Sequence, residues 1–249
     1  MKKRETQKER AKTRLLIIAA VILLASIVVL IISQAHYEKT HGSTTVIMLD
    51  AGHGGDASGI QGIVSEDAVD EEIVNRLEEK LSADSRFKVA RTHEAGTAMN
   101  TADRVKAIND THPDLVVSVH CAQNPDSSVS GTRVFADIPS SKYHDDSTAA
   151  ATMIAGLLQN AGRNVTTGYF YYHPLKEGIY QEHIADFSDT TDYQEDTFDL
   201  MAQAEAPVVR IEHLYVTNQS DADEWANEEA YDKAAGIYYD ALVNRFCTE

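Results

Sequence analysis

The chain has 249 residues, of which 43% are hydrophobic, and its 22 basic and 39 acidic side chains give a formal net charge of −17. This hydrophobic share excludes wholesale disorder, and the length suits a single domain with a substantial core. The acidity excludes nucleic-acid binding through phosphate contacts, because such binding requires a basic face.

The N-terminal part of the chain carries a charge of opposite sign. Residues 1–14 hold seven basic and two acidic residues, a net of +5, so the rest of the chain carries −22. Residues 15–33 (LLIIAAVILLASIVVLIIS) are 19 residues without a charge, long enough to cross a membrane as a helix. Because basic residues mark the cytoplasmic side, we predict a cytoplasmic tail, a transmembrane signal-anchor and an extracytoplasmic domain on the cell membrane.

Cleavage of this segment is the alternative interpretation. Small residues at Ser33 and Ala35 have the spacing of a signal-peptidase site, and cleavage near Ala35 would make the protein secreted. Residues 34–43 are polar and are predicted to be a linker, after which residues 44–249 form one domain.

The first half of this domain alternates predicted strands and helices. TVIMLD, residues 45–50, is a run of β-forming residues that leads into a glycine-rich loop. A helix is predicted from Glu66 to Leu81, because apolar residues recur there every four positions. The elements that follow are a short strand at 87–90, a helix at 101–110 and a buried strand, LVVSVH, at 115–120.

The second half continues the alternation, with strands at 132–138 and 208–213 and helices at 147–161 and 231–246. This order predicts an α/β fold with a mostly parallel twisted sheet and helices on both faces. The stretch 168–196 is rich in tyrosines and acids but lacks clear periodicity, so we predict a surface insertion loop. It contains Tyr169, Tyr171 and Tyr172, and a solvated loop without a role is compatible with the sequence.

Three polar residues follow or close predicted buried strands: His53, His120 and Glu212. Ligands bind at the carboxyl edge of such sheets, so these side chains are expected at one site. Two histidines and one carboxylate would suit catalytic zinc. Five acids at the start of the first helix could supply that carboxylate, and the pattern does not choose among Glu66, Asp67, Asp70, Glu71 and Glu72.

Several motifs resemble one enzyme family. VIMLDAGHGG is similar to the D-x-G-H-G-G opening of the zinc-dependent N-acetylmuramoyl-L-alanine amidases of the family-3 type. The blocks RTHEAGTAMNTADRVKAIN, SVH, GTRVF and PVVRIEHLYVTN follow in register, so the resemblance spans about residues 44–246. The chain departs from the family pattern at Ala122, where asparagine is usual, and at Thr132, Arg133, Arg210, Leu214 and Tyr215.

The resemblance implies the roles of individual residues in residues 44–249, taken as the catalytic domain. It implies one Zn²⁺ as cofactor, with His53, Glu66 and His120 as ligands, and Glu212 as the catalytic acid and base. Asp50 is expected to orient a ligating histidine. Arg91 and Asn218 match family positions and are expected to support the site or contact substrate.

The implied substrate and partner is peptidoglycan, cut at the amide between N-acetylmuramic acid and L-alanine. Tyr169, Tyr171 and Tyr172 could stack on its sugar rings. Two alternatives remain open: a wall-binding or regulatory domain that has lost catalysis, and a zinc peptidase acting on ordinary peptides. His173, His183 and His213 are interpreted as surface or supporting residues. Neither the oligomeric state nor a pairing of Cys121 with Cys247 follows from the sequence.

Overall fold

The computed structural model describes Leu24 and residues 26–28, 44–175 and 178–247. Its contacts divide the chain into two units, Met1–Ser43 and Thr44–Glu249. The few described residues of the first unit are helical and exposed. Among the described residues, no helix has the length and apolar character needed to cross a membrane. The predicted tail, most of the membrane segment and the linker lie outside the described residues, so these interpretations stay predictions.

The second unit is built on a seven-stranded sheet with the order β2-β1-β3-β7-β4-β5-β6. The strands are β1 (Thr45–Ala51), β2 (Phe87–Arg91), β3 (Leu115–Ala122), β4 (Thr132–Phe135), β5 (Val165–Pro174), β6 (Tyr180–Ala185) and β7 (Val208–Tyr215). The helices are α1 (Glu66–Ser82), α2 (Thr101–Thr111), α3 (His144–Asn160), α4 (Asp199–Gln203), α5 (Gln219–Trp225) and α6 (Glu228–Phe246). The α/β class and the single folded domain are therefore confirmed.

The sheet is mostly parallel, as predicted, but it is mixed, because four of its six strand pairings are parallel and two are antiparallel. Strands β2, β1, β3 and β7 run parallel, whereas β4 is antiparallel to β7 and β6 is antiparallel to β5. The reason lies in the connections. Residues 123–131 between β3 and β4 contain no helix, and the link from β5 to β6 is shorter still. A parallel return needs a crossover of about a dozen residues or more, so both short links reverse the chain direction.

Apolar side chains pack on both faces of the sheet, as predicted. On one face, alternate residues of β1, β3 and β7 such as Leu49 and Val117 pack against α1, α3 and α6. On the other face, Met48 and Val116 pack with Ile108 of α2 and with α4. The carboxyl ends of the parallel strands β2, β1, β3 and β7 meet at one edge of the sheet.

The prediction of a surface loop at 168–196 is wrong for its first part. Residues 168–174 belong to β5, and β6 returns alongside as a hairpin. Tyr169 and Tyr171 are fully buried, which excludes them from stacking on sugars, while Tyr172 is half-buried. The sequence of β5 shows no alternation of apolar and polar residues, because both faces of this strand are covered.

Candidate active site

The carboxyl edge of the sheet brings together residues that are far apart in the chain. His120 of β3 pairs with Glu212 of β7, and Glu212 pairs in turn with Arg133 of β4. Residues directly opposite on neighbouring strands present their side chains on the same face. His53 follows β1 by two residues and Glu66 opens α1. All of these side chains therefore reach one region.

Three of these residues are spaced as ligands of one ion would be. The carboxylate Oε2 of Glu66 lies 3.1 Å from Nε2 of His53, and Oε1 lies 3.2 Å from Nδ1 of His120. The three ligand atoms all lie within 4.8 Å of one another. Tetrahedral zinc with ligands at about 2.0–2.1 Å separates neighbouring ligand atoms by about 3.3 Å. The donor set and its spacing therefore fit zinc.

The Glu66 carboxylate is 1% exposed, and both of its oxygens accept hydrogen bonds. Backbone N–H groups of Ile60 and Cys121 donate to its two oxygens at 2.8 and 3.1 Å. Burial alone raises the pKa of Glu66, but hydrogen bonds from His120 and His53 outweigh it and hold the pKa well below its usual range. Glu66 is thus ionised, as a carboxyl group must be to bind a metal ion.

The two imidazoles are held in different ways. Burial, together with the charge of Arg210, lowers the pKa of His120 to about 4, so this ring is neutral at physiological pH. His53 has a left-handed backbone with φ of 61°, and its side chain is 34% exposed. Neutral imidazole is the form that binds metal. His53 therefore faces incoming solute, while His120 forms the deeper side of the site.

Two glycines allow the loop after β1 to lie against the ligand residues. A Cβ on Gly52 would lie 2.4 Å from Oδ2 of Asp70 and 2.5 Å from Nδ1 of His120. At Gly59, where φ is +64°, a Cβ would lie 2.6 Å from Cδ2 of His53. Such contacts are far below van der Waals distance. The glycine-rich loop is thus a requirement of the site.

Asp50 is fully buried and contacts Arg104, whereas the sequence predicted a contact with a ligating histidine. It accepts hydrogen bonds from Ser118 Oγ at 2.7 Å, Thr92 Oγ1 at 2.7 Å and Arg104 Nη1 at 2.8 Å. Burial raises the pKa of Asp50, but Arg104 and the other donors lower it overall. Within the described part of the chain, Asp50 has no hydrogen bond to an imidazole. It instead holds Arg104, whose Nη2 donates to the carbonyl oxygen of His53.

The other two expected supporting residues lie away from the site. Arg91 Nη2 bonds Glu71 of α1 at 2.6 Å and so ties β2 to that helix. Asn218 caps α5, accepting from the Asp221 backbone N–H at 2.8 Å and donating to the Ser127 carbonyl at 2.8 Å. Neither side chain lines the cleft beside the candidate metal ligands. Both have structural contacts, and their expected contact with substrate stays a prediction.

Glu212 lies between two arginines. It is 4% exposed; Nε and Nη2 of Arg133 donate to its Oε2, and Nε of Arg210 lies 3.4 Å from its Oε1. The sequence marked both arginines as departures but did not reveal this contact. Arg210 precedes Glu212 by two residues in a strand, and this spacing alone could have placed the pair on one face. The contact of Arg133 requires the strand register.

A cleft of about 640 Å³ opens beside the candidate metal ligands. His53, His120 and Asp50 are among its lining residues. Its other lining residues are Ala57, Met99, Asn100, Thr101, Arg104, Tyr172, Tyr180, Asp196, Thr197, Phe198, Asp199, Leu200 and Arg210. The cleft therefore gives a solute access to the two imidazoles, with aromatic and charged groups around it.

Residues 47–244 match the model of one protein family, described as N-acetylmuramoyl-L-alanine amidase. The chain belongs to this amidase family. LytC, an N-acetylmuramoyl-L-alanine amidase of Bacillus subtilis (strain 168), is 25% identical over 203 residues. That match covers 80% of this chain and 35% of LytC, so the chain spans about a third of that relative. The family resemblance seen in the motifs is thus confirmed.

Two further relatives support the amidase fold. The uncharacterised protein YqiI of the same bacterium is 26% identical over 211 residues, covering 80% of this chain and 81% of YqiI. The crystal structure of an N-acetylmuramoyl-L-alanine amidase from Clostridium difficile 630 superposes with a TM-score of 0.64. It is 18% identical, and the match covers 81% of this chain and 97% of that one. At this identity the superposition shows the fold alone.

Proposed function

We propose that this amidase-family chain is a zinc-dependent hydrolase that cleaves the amide between N-acetylmuramic acid and L-alanine in peptidoglycan. The observation that carries the proposal is the convergence of His53, Glu66 and His120 beside a cleft that His53 and His120 line. Peptidoglycan lies outside the cytoplasm, so we also propose that the domain acts there. A membrane anchor at residues 15–33 would keep it beside that polymer.

His53, Glu66 and His120 would hold the ion. Two neutral imidazoles and one carboxylate leave a zinc site with a net charge of +1. When bound, zinc supplies a Lewis acid that polarises the substrate carbonyl and makes water a nucleophile near neutral pH. Through Arg104, Asp50 holds the backbone of His53 in place, and Glu66 is fixed by two backbone donors. These contacts orient the ligands before substrate arrives.

Glu212 is proposed as the acid and base of the reaction. It lies opposite His120 on the neighbouring strand, on the same face of the sheet. In this role it takes a proton from the attacking water and gives that proton to the departing alanine nitrogen. Arg133 and Arg210 fix the orientation of the carboxylate from two sides. A positioned proton carrier of this kind typically contributes about 10²–10⁴-fold in rate.

The test is digestion of purified peptidoglycan by residues 36–249, with and without a chelator. The proposal expects new alanine amino termini, loss of the reaction with chelator and its return on adding zinc. His53→Ala should bind no zinc by elemental analysis, whereas the matched variant His173→Ala, at an exposed position of β5, should bind it fully. Release of any other amino terminus would instead indicate a zinc peptidase, and full zinc content in His53→Ala would refute the metal site.

One observation favours the alternative of a wall-binding domain without catalysis. Glu212 is almost fully buried and paired with two arginines, and it does not line the cleft. A protein of this second type would sediment with peptidoglycan but release no amino groups in the same digestion. The single assay therefore separates the two functions.

A further inference from the structure

The side chain of Arg210 is only partly used by the protein. Its Nε is directed at Oε1 of Glu212 at 3.4 Å, and its guanidinium carbon lies 4.2 Å from the centre of the Phe198 ring. Within residues 44–175 and 178–247, neither Nη1 nor Nη2 of Arg210 has a hydrogen-bond or ion-pair partner. Because Arg210 lines the cleft, these two nitrogens are available to a bound solute.

The strand register places Arg210 next to the candidate metal ligands. Arg210 pairs with Ser118 of β3, two residues before His120, and Ser118 pairs with Asp50 of β1. Residues two apart in a strand share a face, so Arg210 and His120 are directed to the same side of the sheet. A group bound to Arg210 would therefore lie close to the ligand residues.

The second arginine that lines the cleft has no comparable free donors. The guanidinium of Arg104 already donates hydrogen bonds to Asp50 and to the carbonyl oxygens of Ala51, His53 and Met99. Arg133 does not line the cleft, and its guanidinium is paired with Glu212. Among the described arginines at this site, Arg210 is thus the one that can form a new charged contact.

A guanidinium with free terminal nitrogens has a defined chemical preference. It offers parallel N–H groups that match a carboxylate, and an aromatic ring under its plane restricts its rotation. Asp196 and Asp199 also line the cleft, and neither lies within ion-pair distance of Arg210. Their negative charges oppose anion binding in the cleft, so an anion bound there needs the compensating charge of Arg210.

We infer that Arg210 is a specificity-determining residue that binds a carboxylate of the peptide stem beside the scissile amide. The inference rests on the proposed function. In peptidoglycan the residue after alanine is a γ-linked glutamate, whose α-carboxylate is either free or converted to a carboxamide. The free acid gains a charge-assisted contact with Arg210 that the carboxamide lacks. The enzyme therefore prefers stems with the free carboxylate.

Two N-acetylmuramoyl tripeptides, L-alanyl-γ-D-glutamyl-L-lysine and its α-carboxamide, provide the test. We expect zinc-loaded wild-type protein to cleave the free acid with about 10- to 100-fold higher kcat/KM, the range of a charged hydrogen bond. Arg210→Gln should abolish this preference, and Arg210→Lys, which keeps the charge without the fork, should retain part of it. The control Arg86→Gln, which precedes β2 at the opposite edge of the sheet, should keep the full preference.

Calorimetry gives a second measurement that does not need turnover. It measures how tightly the same proteins bind the two tripeptides without the N-acetylmuramoyl group. Tighter binding of the free acid by wild-type protein, lost in Arg210→Gln, supports the inference even if neither stem is cleaved; that combination would defeat only the proposed function. Equal loss of activity on both substrates would assign Arg210 a purely positioning role toward Glu212 and overturn the inference. Absence of any preference in wild-type protein would overturn it as well.

Discussion

Arg104 Nη2 donates a hydrogen bond of 2.6 Å to the backbone carbonyl oxygen of His53, a residue with a left-handed backbone at φ of 61°. A non-glycine residue in this conformation costs about 1–3 kcal/mol and persists only where its surroundings enforce it. Asp50 forms an ion pair with Arg104 and so holds the guanidinium against the backbone of His53. The conformation of a candidate metal ligand thus depends on a buried ion pair.

Removing this arginine should weaken metal binding. We expect Arg104→Gln to lower zinc affinity about 10- to 100-fold, because contacts that orient ligands typically contribute this much. Competition with a chromophoric chelator measures the affinity. Arg245→Gln, which removes a surface ion pair with Asp146, is the matched control and should leave affinity unchanged. Unaltered zinc affinity in Arg104→Gln would show that the His53 backbone holds its conformation without help.

The role of Glu212 can be separated from that of the ligands. Glu212→Gln keeps the shape of the side chain but removes the basic carboxylate, so we expect normal zinc content and turnover lower by about 10²–10⁴-fold. Elemental analysis and peptidoglycan digestion measure the two quantities. Glu229→Gln, on the exposed surface of α6, serves as the control. Near-normal turnover in the zinc-loaded Glu212→Gln variant would exclude Glu212 as proton carrier.

The glycine-rich loop leads to a prediction about stability. We expect Gly52→Ala to destabilise the metal-free fold by about 1–3 kcal/mol, because its Cβ would overlap Asp70 and His120. Gly156→Ala is an informative control. Gly156 lies within α3 and a Cβ there meets nothing within 4 Å, so the change should stabilise by about 0.5–1 kcal/mol. Denaturant unfolding monitors both, and an unchanged midpoint for Gly52→Ala would show that the loop has room.

Stability in acid should depend on His213. Burial, together with the charge of Arg163, lowers the pKa of His213 to about 3, and its ring contacts Tyr238 Oη at 2.8 Å and the Trp225 carbonyl at 3.2 Å. The unfolded chain binds this proton at about pH 6.5, so the folded state loses stability as pH falls from about 6.5 toward 3. The slope for this single group is about 1.4 kcal/mol per pH unit.

The variant that tests this dependence is His213→Gln. It should lower the free energy of unfolding at pH 7 through lost contacts, yet flatten the decline between pH 6 and 4 relative to wild type. The exposed control His173→Gln should keep the wild-type slope. Unfolding by denaturant across this pH range gives both quantities, and an identical slope in His213→Gln would mean that other groups cause the acid sensitivity.

Local sequence patterns predicted much of the fold, because a buried strand or an amphipathic helix leaves its own period. The run from Leu115 to His120 and the four-residue spacing from Val69 to Leu81 are both found where the pattern indicated. The antiparallel directions of β4 and β6 were not predictable in this way, since strand direction depends on the length of connections and on which strand inserts between β3 and β4. The hairpin of β5 and β6 escaped because Tyr169, Phe170 and Tyr171 are all covered.

The sequence likewise predicted some residues of the candidate site but not the contacts between them. His53 and His120 could be located because each follows or closes a strand, and the family motif alone selected Glu66 from its acidic neighbours. The contacts of Asp50 with Arg104 and of Arg133 with Glu212 join positions 54 and 79 residues apart. Such pairs depend on the register of the sheet and on the length of the side chains. Neither produces a periodic pattern in a single sequence.

One wall of the cleft includes Tyr180 of β6, the terminal strand of the sheet, which pairs on one side only. Strand β1, which leads to His53, and strand β3, which contains His120, are each bonded on both sides. A terminal strand can shift outward without disturbing the ladders behind it. We therefore expect the side of the cleft that includes Tyr180 to adjust to the breadth of a bound solute, while the strands beside the ligand residues keep the alignment of the site.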